Sequence, residues 1–407
     1  VRCRFCAAEV TRTFLDLGVQ PLSNSYVRPA DEGAPEPFHP LHVKVCERCL
    51  LVQLPECASP ESIFSQYAYL SSTSATWVAH ARAFADEAVA RFELTRASKV
   101  VEVASNDGYL LQHFLARGVS VLGVEPAANV ADIAREAGIP TITRFFGAAL
   151  AEEIVKVEGP ADLLVANNVL AHVPDLNDFV AGLSALLAPR GVLSIEAPHL
   201  ARLLAGRQFD TIYHEHFSYF SLGTLVRVLE AHGLRVFDVE ELPTHGGSLR
   251  VYAERRGRGR ERSGRVSEVL AAEERDGGLS LSRYDRFADE VRDLKRDVLS
   301  FLIAEKRAGR RIAAYGAPAK GNTLLNFLGA GTDFVDFTVD RNPLKQGTLL
   351  PGSRIPVHHP DRLGSARPDT VVILPWNLES ELARDLAFVR DWGGRLVVLV
   401  PSVRELS

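Results

Sequence analysis

The sequence predicts an α/β protein in three units: a small N-terminal zinc-binding module, a doubly wound Rossmann-like core, and a C-terminal Rossmann-like domain. Three observations carry this prediction. Two Cys-x2-Cys pairs stand near the N-terminus, Cys3/Cys6 and Cys46/Cys49. Short apolar strands then alternate with periodic helical stretches up to about residue 256, and a second alternation starts near residue 311 behind a long helical stretch. A chain of 407 residues also exceeds one ordinary hydrophobic core. The expected units are 1–71, 72–256 and 257–407.

Each Cys-x2-Cys knuckle can point two thiolates inward from a tight turn, so two knuckles wrap one tetrahedral ion. The 39 residues between the pairs hold Pro21, Pro29, Pro35, Pro37 and Pro40 and cannot build a core of their own. A metal would therefore supply folding energy. With Cys3, Cys6, Cys46 and Cys49 all thiols, the site is closed and structural Zn2+ is expected. Cys57, the fifth cysteine, lies outside the pattern.

The core begins with a helix over 76–92. The strand Lys99 to Ala104 ends in Ser105-Asn106-Asp107-Gly108, and an apolar-periodic helix follows (Tyr109, Leu110, Leu111, Phe114, Leu115). A second strand, 120–125, ends in Glu125 and Pro126. Helices over 127–137, 149–157 and 179–187 alternate with strands over 141–145, 161–166 and 192–196. Such a sheet binds ligands at the C-terminal ends of its strands. After a helix over 222–231, two strands (235–242, 248–254) are joined by Pro-Thr-His-Gly-Gly. That hairpin ending resembles class I methyltransferases and not dehydrogenases. Residues 255–265 read as a flexible basic linker. A helix over 284–308 leads to strands over 311–315, 334–339, 370–374 and 395–400.

The turn after the first core strand carries Glu102, Ala104, Asn106 and Gly108, with one glycine where a pyrophosphate loop needs several. That disfavours a dinucleotide and fits a ligand without phosphate, such as S-adenosylmethionine. Glu125 is placed to accept its ribose hydroxyls. After the fifth strand, Tyr213-His214-Glu215-His216 concentrates groups able to move protons. His172, in Asn167-Asn168-Val-Leu-Ala-His172, should face the same cavity.

Four motifs carry a resemblance that spans the whole chain: Glu102-Val-Ala-Ser-Asn-Asp-Gly108, Phe209-Asp-Thr-Ile-Tyr-His-Glu-His216, His245-Gly-Gly-Ser-Leu-Arg250 and Tyr315-Gly-Ala-Pro-Ala-Lys-Gly-Asn322. With them the chain resembles the S-adenosylmethionine-dependent sugar C-methyltransferases of deoxysugar (antibiotic) biosynthesis. The resemblance implies methylation of a carbon beside the ketone of a TDP-4-keto-deoxysugar, at C3 or, alternatively, C5. It implies His216 as general base with Tyr213, Glu215 and His172 beside it. Glu102, Ala104, Asn106, Gly108, Glu125, Pro126 and Asn168 would hold the cofactor. Tyr67, Tyr69, His214, His245, Ser248, Arg250, Lys320 and Asn322 would meet the nucleotide sugar, with Lys320 on the phosphates.

A net charge of −5 and the lack of a basic-aromatic face argue against a nucleic-acid partner. No apolar run reaches the roughly 18–20 residues that span a bilayer, and Val1-Arg2-Cys3 opens no signal-peptide stretch. A cytoplasmic monomer is the expectation; a two-Rossmann oxidoreductase is the rival enzyme.

Overall fold

The computed structural model describes residues 1–57, 70–277 and 279–406. Three strands open the chain: β1 (Thr13–Gln20), β2 (His39–Val45) and β3 (Val52–Gln53). They pair antiparallel in that order, and β1 buries Phe14, Leu15 and Leu17.

The core alternates α1 (Ala75–Arg91), β4 (Lys99–Val103), α2 (Leu111–Leu115), β5 (Ser120–Val124), α3 (Ala128–Glu136), β6 (Thr141–Ile142), α4 (Ala148–Glu158), β7 (Ala161–Asn167), α5 (Leu176–Leu186) and β8 (Leu187–Pro198). The short α6 (Leu200–Ala205), a two-residue β9 (Ser218–Tyr219), α7 (Leu222–Ala231), β10 (Leu234–Leu242) and β11 (Ser248–Arg255) complete it. The seven-stranded sheet has the order β10-β11-β8-β7-β4-β5-β6. Strands β8 to β6 run parallel, whereas β11 is antiparallel to both β8 and β10. The expected hairpin ending is therefore present. Near-continuous apolar strands fit a sheet buried on both faces; Val100, Val101, Leu163, Leu164, Val165 and Ala166 are fully buried.

β9 does not join this sheet. It pairs antiparallel with β3, so the chain just after His216 supplies the fourth strand of the N-terminal sheet. A two-residue strand carries no periodicity of its own, and nothing local in the sequence announces it.

The stretch read as a flexible basic linker is tied down instead. Arg255 donates to the carbonyls of Ala185 and Leu187, Arg260 pairs with Glu254, and Arg265 pairs with Asp238. Ser263 then caps an unforeseen helix, α8 (Gly264–Arg275). Alternating Arg with Gly suggested solvation; buried carboxylates on β10 and β11 capture the guanidinium groups. The expected strand over 141–145 likewise ends at Ile142.

The long helix α9 (Leu281–Arg307) buries Tyr284, Phe287, Val291, Leu294, Val298 and Leu302 along one stripe. Its first turns pack on β1, with the Phe14 ring 5.4 Å from both Tyr284 and Phe287. Each such ring contributes about 1.5–3 kcal/mol by burial, enough to join the first and third units. The last sheet comprises β12 (Ile312–Tyr315), β13 (Phe337–Val339), β14 (Val357–His358), β15 (Thr370–Ile373), β16 (Arg395–Val398) and β17 (Arg404–Glu405), with α10 (Ala319–Leu328) after β12. Its order is β14-β13-β12-β15-β16-β17, parallel except for β17. No helix among the described residues is long and apolar enough to cross a membrane.

Candidate active site

The four paired cysteines converge. Their sulfur atoms all lie within 4.8 Å of one another, with Cys3–Cys49 and Cys6–Cys46 each at 3.5 Å. Tetrahedral Zn–S bonds of about 2.3 Å place sulfurs about 3.8 Å apart, so the donor set fits zinc. The two knuckles are built alike. Ala7 N–H donates to the Cys3 carbonyl and Leu50 N–H to the Cys46 carbonyl, and both Ala7 and Leu50 take positive φ. Gln53 Nε2 donates to Cys3 Sγ at 3.3 Å and steadies the thiolate.

At the C-terminal end of β4, Ala104 and Asn106 also adopt positive φ, and so does Asn168 after β7. Gly108 has φ +81°, and a Cβ there would stand 2.9 Å from Ile139 Cγ1, so glycine is required. Glu125 closes β5 and grips the turn: its carboxylate accepts from Asn106 N–H at 3.0 Å and Ala127 N–H at 2.9 Å. The half-buried Pro126 follows it. Several buried polar atoms here have no partner among the described residues: Glu102 Oε2, Asp107 Oδ1, Asn167 Oδ1 and both side-chain polar atoms of Asn168. Native interiors leave few such atoms. Burial raises the Glu102 pKa well above the carboxylate range, and that of Glu125 upward as well. An acidic edge with free acceptors fits a ligand that carries hydroxyls, an amine and a positive sulfonium.

His216 packs against His172, four residues past Asn168. Thr211 O accepts from its Nδ1–H at 2.9 Å, which leaves Nε2 as the lone-pair nitrogen. Burial, reinforced by the charges of His172, His245 and Lys320, drives its pKa far below 6.5, so the ring is neutral near pH 7. The Tyr213 ring lies 4.0 Å from it and the His172 ring 4.8 Å. His172 Nδ1 donates to the Glu215 carbonyl, and burial lowers its pKa to about 4. Tyr213, His172 and Lys320 are half-buried and His245 is exposed. Burial keeps Tyr213 protonated, with its pKa well above 10.

Several residues expected at the nucleotide sugar face elsewhere. His214 lies in a turn and, instead of joining His216, meets the His39 carbonyl at 3.3 Å. Arg250 is used inside the sheet, paired with Glu196 at 3.1 Å and lying over the Phe84 ring. Ser248 donates to the Thr244 carbonyl and holds the turn that carries His245. Glu215 does not orient His216; its carboxylate meets Asn24 Nδ2 and feels Lys345, while burial raises its pKa to about 7. Asn322 donates to the Ser23 carbonyl at 2.6 Å. Tyr67 and Tyr69 lie outside the described residues.

Other residues enter that sequence reasoning passed over. Trp77 stacks on His80 at 4.9 Å and stands 5.2 Å from His245. Trp376 Nε1 donates to Asp210 Oδ2 at 2.7 Å, and Lys320 Nζ donates to Asn377 Oδ1 at 2.6 Å. The position of Trp376-Asn377 after β15, beside the turn after β12, is the signal that could have found them.

Three family models match the chain in succession. Residues 3–64 match a zinc binding domain family, 77–239 a methyltransferase domain family, and 243–401 the C-methyltransferase C-terminal domain family. The C-methyltransferase NovU of Streptomyces niveus is 39% identical over 100% of this chain and 96% of its own length. Among solved structures, the magnesium protoporphyrin IX methyltransferase of Synechocystis PCC 6803 with bound SAM aligns over 44% of this chain and 81% of its own, at 15% identity and TM-score 0.34. The CcbJ methyltransferase of Streptomyces caelestis aligns over 43% and 89%, at 14% identity and TM-score 0.34. Likeness that distant carries no weight beside the full-length relative. On the full-length match and the three domain families, the chain belongs to the S-adenosylmethionine-dependent C-methyltransferases that carry an N-terminal zinc-binding domain.

Proposed function

We propose that the methyl acceptor is C3 of a TDP-linked 4-keto-deoxysugar, and that His216 is the base that activates it. The observation that carries this reading is the tautomer of His216. Its Nδ1–H is committed to the Thr211 carbonyl, so Nε2 is the basic nitrogen, in a neutral ring. Methylation at carbon needs a carbanion equivalent, and a ketone acidifies the hydrogen on its neighbouring carbon. Removal of that hydrogen by a positioned imidazole accelerates such steps by about 10²–10⁴-fold.

Bound S-adenosylmethionine supplies an electrophilic methyl group. Glu102, Ala104, Asn106, Gly108, Glu125, Pro126 and Asn168 are assigned to holding it, and the unpartnered atoms of Glu102 and Asn168 support that assignment. Tyr213 and His172 enclose the sugar ring against His216; Tyr67 and Tyr69 are assigned to the sugar by motif position. His245 completes the acceptor side. In-line attack inverts the transferred methyl group, and the face of the enolate turned toward the donor sets the configuration at the sugar carbon. We read the catalytic unit as 72–256, the flanking units as 1–71 and 257–407, and the working form as a cytoplasmic monomer.

Calorimetric titration of S-adenosylmethionine, and separately of NAD, with and without TDP tests the reading. Saturable donor binding and TDP binding are expected, followed by NMR of the product from a TDP-4-keto-6-deoxysugar with the new methyl group at C3. Methylation at C5 would move the site assignment by two ring positions. Binding of NAD alone would turn the reading toward redox chemistry.

A further inference from the structure

Lys320 was expected to hold phosphate, and its surroundings suit another task. It opens α10, directly after β12, and Trp376 and Asn377 follow β15. β12 pairs with both β13 and β15, so these two loops flank the switch point of the third sheet, where open α/β sheets place ligands. Lys320 Nζ lies 4.5 Å above the Trp376 ring and donates to Asn377 Oδ1. Trp376 in turn is fixed by Asp210, a fully buried carboxylate one residue before Thr211, whose carbonyl holds His216. Thr323, one turn along α10, donates to the Ile212 carbonyl at 3.1 Å. The start of α10 is thus stapled to the segment 210–216 that carries the base.

The charge on Lys320 bears on three groups, Asp210, His216 and His245. Burial lowers the Lys320 pKa to about 8 and Asp210 opposes the shift, so the ammonium stays protonated near pH 7; the negative charge of Asp210 would repel a diphosphate brought to the same point. The side chain is half-buried, which leaves part of it open to a ligand. Base chemistry at His216 creates negative charge on the ketone oxygen, and a preorganised donor in a site of low dielectric stabilises such charge strongly.

We propose that Lys320 is the catalytic donor to the ketone oxygen, opposite the base, and not a phosphate anchor; this rests on the reading of the substrate as a 4-keto sugar. The electrons move in balance. The C–H pair becomes the carbon–carbon π bond, the carbonyl π pair passes to oxygen, and the proton goes to His216 Nε2. Lys320 donates a hydrogen bond to that oxygen and keeps its proton. As the carbon takes up the methyl group, the oxygen pair rebuilds the ketone, S-adenosylhomocysteine departs, and His216 releases its proton to solvent. Asn377, Trp376 and Asp210 act through Lys320 as positioning residues.

The test is deuterium wash-in at the carbon beside the ketone of a TDP-4-keto-6-deoxysugar, measured on the full chain with S-adenosylhomocysteine in place of the donor. Steady-state kinetics accompany it. Lys320→Met is expected to lower the wash-in rate and kcat together by about 10²–10³-fold, with the sugar KM changed by less than about threefold. Wash-in that survives while the sugar KM rises and the affinity for TDP falls would make Lys320 a phosphate anchor and overturn the proposal. S-adenosylmethionine affinity reports folding; if Met at this position disturbs it, the same comparison is read on Lys320→Gln, which keeps a donor toward Asn377. Absence of wash-in with the unaltered protein would instead defeat the substrate reading, and the proposal with it.

Discussion

Two Rossmann-like sheets in one chain answer the same topology with opposite charge. In the core, β4 pairs with both β5 and β7, and the turn at that switch point presents Glu102 and Asp107, with Glu125 on the next strand. In the third unit, β12 occupies the equivalent place between β13 and β15, and the turn presents Lys320. Strand order fixes where a ligand sits, because the loops at a switch point splay apart. The side chains on those loops decide which ligand is stable there. A carboxylate edge suits a sulfonium cofactor; an ammonium suits an acceptor that becomes anionic. The segment 209–216 is tied to the third unit through Trp376 and Thr323 and carries His216, the proposed base.

The sharpest way to break this comparison is to remove the base while leaving both edges intact. His216→Asn is expected to lower turnover by about 10³-fold or more, with S-adenosylmethionine affinity within about twofold by calorimetry. Substantial residual activity would move proton abstraction to Tyr213 or His172. A smaller effect is expected at the acidic edge. Glu125→Ala should weaken donor binding about tenfold to a hundredfold, the 1.5–3 kcal/mol of a hydrogen bond to a charged group, partly through the loosened Asn106 and Ala127 amides. TDP binding should not change; if it does, the two edges are not independent sites.

The smallest effect sharpens the boundary between the base and its neighbour. Burial raises the Glu215 pKa from its ordinary 4.5 to about 7. Below about pH 4.5 the carboxyl is protonated in folded and unfolded chains alike, and no penalty applies. Between these values the folded state binds the extra proton, so stability falls as pH rises, and the penalty is complete above pH 7. Glu215→Gln removes it. The variant should gain about 2–3 kcal/mol at pH 8 and nothing at pH 4 in thermal melts of the ligand-free protein. Equal gains at both pH values would assign the effect to packing.

Much of this molecule is legible in its sequence where local pattern and tertiary demand coincide. The double Cys-x2-Cys spacing is such a case: each knuckle folds by local backbone bonds, so the convergence of four sulfurs follows from two short motifs. The helix over Leu222–Ala231 and the strands flanking His245 also agree with their periodicity. Legibility ends where a partner far along the chain decides the outcome. Arg250 reads as a ligand contact until β8 places Glu196 beside it. His214 reads as part of a catalytic cluster until β2 offers the His39 carbonyl. The arginines of 255–265 look solvated until β10 supplies Asp238. In each case a buried charge or donor at long range outweighs the local signal, and spacing alone does not encode it. The finer residue roles belong to the same class, since pairings across units set them.

The exchange of β9 into the N-terminal sheet has a practical consequence for cutting the protein into parts. The base lies two residues before this strand, and β3, its partner, begins three residues after the last zinc-binding cysteine. A fragment without the first 57 residues would keep the cofactor-binding fold while losing the partner strand that holds His216 in register. Such a fragment would be a competent receptor for the methyl donor and a poor enzyme, because the minimal working unit here is larger than the domain whose fold defines it.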